Sequence, residues 1–169
     1  MGRKSTKENK NIYQLSREKL GLTREKASEL MPGLSPERIE KIENERSFPH
    51  PDEVLLMSDG YQDPRLCNHY CSKECPIGRE YVPSIEFKDL SRIVLEMLAS
   101  LNTVNQKKER LIEITCDGIV QDEEVADFVT IQEELEKISI TVETLQLWTE
   151  QMLASGAINM ELYNQLKQK

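Results

Sequence analysis

Cys67, His69, Cys71 and Cys75 are the residues whose types and spacing point most directly to chemistry. The thiols follow a C-x3-C-x3-C pattern, which on a helix sets all three on one face, a turn apart. Thiolates so arranged could bind zinc or an iron–sulfur cluster, with His69 or the distant Cys116 as fourth ligand. The spacing is not that of the usual C-x2-C knuckle. Two other readings therefore stand beside the metal: buried thiols packing as small hydrophobes, and an accidental pair able to oxidise. Nucleophilic catalysis does not follow from them, because His69 has no evident acid to orient it and no oxyanion site beside it. The sequence also lacks a Gly-rich phosphate loop, paired catalytic acids and a nucleophile elbow, so an enzyme is not expected. Around Gly118, the run from Glu113 to Glu124 has a faint calcium-loop rhythm, with Gly and the final Glu in position. Glu in its first place and Thr115 in its third remove most of the charge, which favours a helix-joining turn capped by Asp117 or Asp122.

These cysteines lie in YQDPRLCNHYCSKECPIGREYVPSI, residues 61–85, whose three prolines and one glycine rule out one continuous helix. Helices must nonetheless position everything else. Aromatic residues are 5% of the chain and charged residues 31%, a balance that suits amphipathic helices better than a large β core. No apolar run is long enough to span a bilayer and no signal sequence opens the chain, which predicts a cytoplasmic protein. The net charge of −8 is uneven. Residues 1–50 carry 11 Lys and Arg against 8 Asp and Glu, whereas residues 51–169 carry 11 against 22. A positive excess survives only in the first part, where a polyanion would have to bind.

That first part is organised around GLTREKASELMPGLSPERIEKIENERSFP, residues 21–49. NIYQLSREKL before it predicts a first helix with Ile12, Leu15 and Leu20 near one face and Gly21 as its C-cap. Thr23 caps a second helix, with Ala27, Leu30 and Met31 as its apolar face and Lys26 where a capping-box Glu would sit. Pro32-Gly33 breaks it. Ser35 with Pro36 then starts a third helix, whose Ile39 and Ile42 face inward. Phe48-Pro49 closes the unit, and PDEVLLMSDG makes a fourth helix contributing Val54, Leu55 and Met57. Helix, tight break, helix is the pattern of a helix-turn-helix.

Residues 12–60 resemble the phage-repressor (Cro-like, XRE) family of helix-turn-helix regulators. The matching pieces are LGLT before helix two, I-x-x-I-E-N at the end of helix three, and a Pro-led helix four, together about a third of the chain. The resemblance implies a lambda-repressor-like DNA-binding domain of four to five helices and double-stranded DNA as partner. It implies a phosphate or base contact for Arg24, and groove-facing positions for Pro36, Glu37 and Lys41, with Arg38 beside them. Asn44 and Arg46 match backbone contacts after the helix, and Arg17 with Glu43 matches an Arg–Glu pair tying helix one to helix three. The sequence departs from the family pattern where Ser28 replaces the usual Ala and Glu45 stands where Gly is preferred. Helix two, ending SELMPGLS, is also about one residue longer than usual. Glu37, Glu40, Glu43 and Glu45 make helix three acidic, which opposes phosphates, although a Glu can accept from cytosine N4.

From Glu86 the composition changes. Leu90, Ile93, Val94, Met97, Leu98, Leu101, Val104, Leu111 and Ile112 recur at helical spacing without Pro or Gly. After the CDG break a second rod runs from about Gln121 to Ala154. Phe128, Ile131, Leu135, Ile138, Val142, Leu145, Thr149 and Met152 form its heptad seam. Two such rods predict a long antiparallel helical hairpin. Val125, Val129, Ile140, Leu147 and Trp148 widen the apolar stripe beyond what two helices need. A second copy, giving a four-helix bundle, is the expected cover; packing back onto the N-terminal domain is the other. Gly156 stops the rod, and Asn159 caps a last short helix.

The expectation is an all-α protein divided into a disordered basic arm (1–10, with Arg3, Lys4, Lys7 and Lys10), a helix-turn-helix domain (11–62), a cysteine-containing connector (63–85) and a helical hairpin (86–169). It is expected to act as a homodimer through 86–154, without a membrane and without an identified small effector. No motif requires a cofactor; zinc or an iron–sulfur cluster is the group that Cys67, His69, Cys71 and Cys75 would take. A protein-interaction module, docking a partner through the Glu-rich third helix or the acidic hairpin, and a metal- or redox-sensing regulator are the alternative functions.

Overall fold

A computed structural model describes residues 9–167. Their regular structure is helical throughout, with no strand among the described residues. Arg3, Lys4 and Lys7 of the expected arm lie outside that range. No helix among the described residues is long and apolar enough to cross a membrane. Two units emerge: the first from residues up to 84 together with those from 150 onward, the second from 85–149.

In the first unit four helices start at the expected signals: α1 (Ile12–Lys19), α2 (Arg24–Leu30), α3 (Pro36–Glu43) and α4 (Pro51–Gly60). Asn11 accepts from the Gln14 amide at 3.0 Å, Thr23 from Lys26 at 3.3 Å and Ser35 from Arg38 at 3.2 Å. Each such cap contributes about 1 kcal/mol by satisfying a backbone donor that has no intrahelical partner. Tyr13, Ala27, Met31, Leu34, Ile39, Ile42, Val54, Met57, Tyr61 and Leu66 form one buried core. Leu15, Leu20, Leu30 and Leu55, expected inside, are exposed. On α1 the reason is that the helix buries Tyr13, Gln14, Ser16 and Arg17 instead. Ser16 donates to Asp63 at 2.7 Å and Arg17 to Glu43 at 2.6 Å, so polar side chains are held inside by partners remote in sequence.

The ends of α1, α3 and α4 share one device. The amide two residues past the C-cap donates to the carbonyl five residues back, and the amide before it to the carbonyl three back, with the residue just past the C-cap at positive φ. At α1 the pair is Leu22 to Arg17 and Gly21 to Glu18; at α3 it is Arg46 to Lys41 and Glu45 to Ile42. Gly21 adopts φ +67° without a Cβ penalty, but Glu45 adopts φ +56°. A left-handed non-glycine residue costs about 1 kcal/mol. Glu45→Gly is therefore expected to stabilise the protein by about 1 kcal/mol in urea unfolding.

Asp63 and Glu53 make the first unit acid-sensitive. Burial works against ionisation of Asp63, but the bidentate Arg65 and the Ser16 hydroxyl outweigh it and hold the carboxyl below its ordinary value. Glu53 is held down first by Arg38, against the opposing effect of burial, and then by the His50 amide. Folded values below unfolded ones mean that the unfolded chain takes up protons first as pH falls. The stability they supply is full above the unfolded carboxylate range near pH 4 and is lost as pH drops through the folded values. Unfolding free energy measured across that window should fall with pH, and less steeply in Asp63→Asn.

The connector breaks into short pieces. α5 (Arg65–His69) runs into a π-helical turn (Tyr70–Glu74), and α6 (Gly78–Tyr81) follows. A Cβ on Gly78 would lie 2.1 Å from the Cys71 carbonyl oxygen, so only glycine lets α6 close onto the preceding turn. Residues from 150 onward, among them a last short helix (Met160–Lys167), belong to this unit, where Gln151 donates to the Gln62 carbonyl at 3.2 Å.

The second unit holds α7 (Leu90–Thr115) and most of α8 (Val125–Ala154). At a rise of 1.5 Å per residue α7 is about 39 Å long. Asp89 caps it, and Lys88 and Arg92 both reach Glu96. In the segment between the helices, Asp117 accepts from the Ile119 amide at 3.0 Å and Glu124 from Gln121 at 3.1 Å, so these carboxylates build the turn. Arg110 pairs with Asp127 at 2.8 Å. The inner stripe of α7 runs through Ile93, Met97, Ser100, Val104, Leu111 and Ile114, a heptad rhythm, all buried or half-buried. On α8 the expected seam holds at Ile131, Ile138 and Leu145, but Leu135 and Val142 are exposed while Thr141 and Thr144 are buried. Both threonines bond to the carbonyl four residues back, at 2.7 and 2.6 Å, which satisfies the hydroxyl and removes the cost of burying it.

Candidate nucleic-acid interface

The candidate site is the pair α2 and α3 with the turn between them. Met31 and Leu34 in that turn are buried, and Ser28 donates to the Leu34 carbonyl at 2.7 Å, which locks the turn to α2. Ser28 thus performs a bond that Ala could not. Ile39 and Ile42 hold α3 to the core, which leaves Glu37 and Lys41 exposed and Pro36 and Glu40 half-buried.

Glu43 anchors the arrangement. Its side chain is 1% exposed and takes both Arg17 Nε, at 2.6 Å, and Nη2, at 2.9 Å. Arg24 Nε reaches the same carboxylate at 2.9 Å, and Arg17 Nη1 donates to the Leu22 carbonyl. The Arg–Glu pair read from sequence is present, and Arg24 joins it. One carboxylate therefore ties α1, the start of α2 and the end of α3, while the Arg24 side chain remains partly solvent-facing.

Arg38 is more fully engaged than its sequence position suggests. Its guanidinium bonds Glu53 through Nε and Nη2 at 2.6 Å, the Ser47 hydroxyl, and the Phe48 carbonyl at 2.9 Å. It clamps α3 to the loop before α4, and a phosphate would have to compete with those partners. The signal for this was His50-Pro51-Asp52-Glu53, a helix start with Glu three residues on. Asn44 caps α3 and donates to Glu40 at 3.3 Å, whereas Arg46 projects into solvent.

Charge on the exposed side is mixed. Lys19, Lys26, Lys41 and Arg46 are exposed and, among the described residues, form no ion pair. Lys26, read from sequence only as a missing cap, joins the cations available to a polyanion. Against them stand Glu25 and Glu37, close enough to repel each other. Each stands in the first turn of its own helix. The Glu37 carboxyl is held below the ordinary carboxylate range by its own backbone N–H and then by the Ser35 hydroxyl; Glu25 is held likewise by its own N–H and Thr23. Helix N-termini attract anions, and here the protein's own carboxylates occupy both.

Cys67, Cys71 and Cys75 are half-buried and free, as is the exposed Cys116. Burial and the neighbouring Cys75 and Cys67 push the Cys71 thiol above its ordinary value. Cys75 Sγ accepts from the Gly78 amide at 3.5 Å, and His69 pairs with Glu74 at 3.3 Å. Among the described residues no group of three or more His, Cys, Asp or Glu is arranged to hold a metal ion. Compared with protein-family models, curated proteins and solved structures, the chain matches none.

Proposed function

We propose that the chain is a homodimeric, sequence-specific DNA-binding transcriptional regulator acting in the cytoplasm and not an enzyme. In this reading residues 11–62 are a lambda-repressor-like domain, 63–85 a connector, and 86–154 an antiparallel helical hairpin that dimerises. The observation that carries it is α2–turn–α3 braced by Glu43: a short helix, a packed turn and a Pro-led helix with Glu37 and Lys41 outward. That is the mechanical requirement for offering one helix to a major groove. Lys41, with Glu37 beside it, reads base edges; Arg24, Lys26, Asn44 and Arg46 serve the backbone; Arg38 holds the loop that follows. The test is titration of duplex DNA at several salt concentrations, where affinity must fall as salt rises.

Dimerisation rests on apolar side chains that α7 and α8 leave uncovered. Leu90, Leu101 and Ile112 recur every eleven residues on α7, with Leu98 beside them, and α8 exposes Leu135 and Val142. A second copy is the occupant that a reader of paired half-sites needs. Sedimentation at micromolar concentration should give a dimer for the intact chain and a monomer for Leu98→Asp with Leu101→Asp. A monomeric intact chain would remove the dimer from the proposal. Docking of a protein partner is the second reading, favoured by the exposed carboxylates of Glu25 and Glu37.

A further inference from the structure

The first unit contains a cleft of about 520 Å³ that none of the roles above uses. Ile12, Ile42, Phe48, Pro49 and the Tyr13 ring give it apolar walls; Glu45, His69 and Glu74 join the Tyr13 hydroxyl as its titratable groups, and among the described residues no Lys or Arg lines it. Its size falls within the range of small-molecule sites, roughly 300–1,000 Å³, and so does its make-up of apolar walls with a few converging polar groups.

Those polar groups are positioned by bonds rather than left loose. Glu74 accepts from the buried Tyr13 hydroxyl at 3.1 Å and pairs with His69 Nε2 at 3.3 Å, while the Tyr13 and His69 rings meet edge to face at 6.1 Å. The π-helical turn makes this possible. In an α-helix residues five apart point about 140° away from each other. Here the Cys75 amide bonds the Tyr70 carbonyl, the wider loop of a π turn, and His69 and Glu74 come onto one side. Two further features converge on the same cleft. Glu45 holds its left-handed backbone conformation at the rim, and Phe48 leaves 78% of its surface in water. A carboxylate has room for further donors beyond the Tyr13 hydroxyl that Glu74 accepts, and an aromatic face attracts cations.

We propose that this cleft binds a small organic cation with an apolar body, of the amine or amidine class, its charge on Glu74 and Glu45 and its body against Phe48 and Ile12. The binding itself does not rest on the DNA reading. Its consequence does: Ile42 lies in the last turn of α3 and Glu45 directly follows its cap, so an occupied cleft touches the helix proposed to read DNA and would act as an effector site.

The experiment is NMR titration of the full chain, without DNA, using benzamidine and its neutral and anionic counterparts benzamide and benzoate. Benzamidine at millimolar concentration should shift the amides of Tyr13, Ser47, Phe48 and Glu74, with benzamide at least about tenfold weaker and benzoate without effect. Glu74→Gln should weaken benzamidine about tenfold. Glu45→Gln, on an exposed side chain that leaves packing intact, should weaken it severalfold, as should Phe48→Ala. No shift with any probe, equal shifts with all three, or benzamidine binding unaffected by Glu45→Gln and Phe48→Ala would overturn the proposal. Because DNA is absent, that failure is separate from failure of the regulator reading.

Discussion

Glu43→Ala is expected to cost about 3–5 kcal/mol of folding stability, measured as a fall in the urea midpoint by circular dichroism. The magnitude follows from what remains. Arg17, itself only 7% exposed, would lose both carboxylate bonds and keep the Leu22 carbonyl and the more distant Glu18 carboxylate, 4.0 Å from Nη2. A buried guanidinium without its counter-charge costs far more than the pair contributes when intact. Arg17→Met with Glu43→Leu should therefore recover most of the loss, because an apolar pair of similar volume needs no desolvated charge. A cost for Glu43→Ala below about 1 kcal/mol, the scale of an exposed pair, would contradict the bracing role. In the double variant Arg24 also loses its anchor, so stability would return while any contact made by Arg24 would not.

Lys41→Ala is expected to weaken binding to a selected DNA site by about 1–3 kcal/mol, or roughly five- to 150-fold. Lys41 sits exposed on α3 and, among the described residues, forms no ion pair, so its removal leaves the fold intact and the effect is read directly. Glu25→Gln should act in the opposite direction. Its carboxylate belongs to the first turn of α2, where a phosphate would otherwise be attracted. Titration by fluorescence anisotropy at two salt concentrations separates the two effects. A base-contacting Lys41 loses discrimination between sites, whereas neutralising Glu25 raises affinity for all duplexes alike. Equal affinities for both variants and the intact chain would exclude α2 and α3 as the contact surface.

Local signals made much of this structure legible. Thr23, Ser35 with Pro36, and the Pro51 start located three helices to within a residue or so, because caps and proline act over three or four residues. The Arg17–Glu43 pair was legible through resemblance alone, since 26 residues separate its members. What sequence could not give was the inward face of α1 or the drift of the α8 seam. Ser16 is buried by Asp63, 47 residues on, and Thr141 and Thr144 are buried because each hydroxyl is satisfied within its own helix. Apolar periodicity counts only apolar residues and so misses both. The Arg38 clamp was partly legible, in the Glu53 that follows His50 by three residues; its reach back to Ser47 and Phe48 was not. Nor does a sequence announce a π turn, and with it the His69–Glu74 pairing.

Selection of bound duplexes from a random pool, with the enriched sequence retitrated at low and high salt, is the measurement that bears most directly on the proposed function. A homodimeric regulator built on α2 and α3 predicts a palindromic winner with half-sites about one helical turn apart, or a multiple of it, with affinity that falls steeply with salt and is weakened in Lys41→Ala. No enrichment, whether the thiols are metal-free or loaded with zinc, would contradict the regulator reading and turn the exposed carboxylates of Glu25 and Glu37 toward a protein partner.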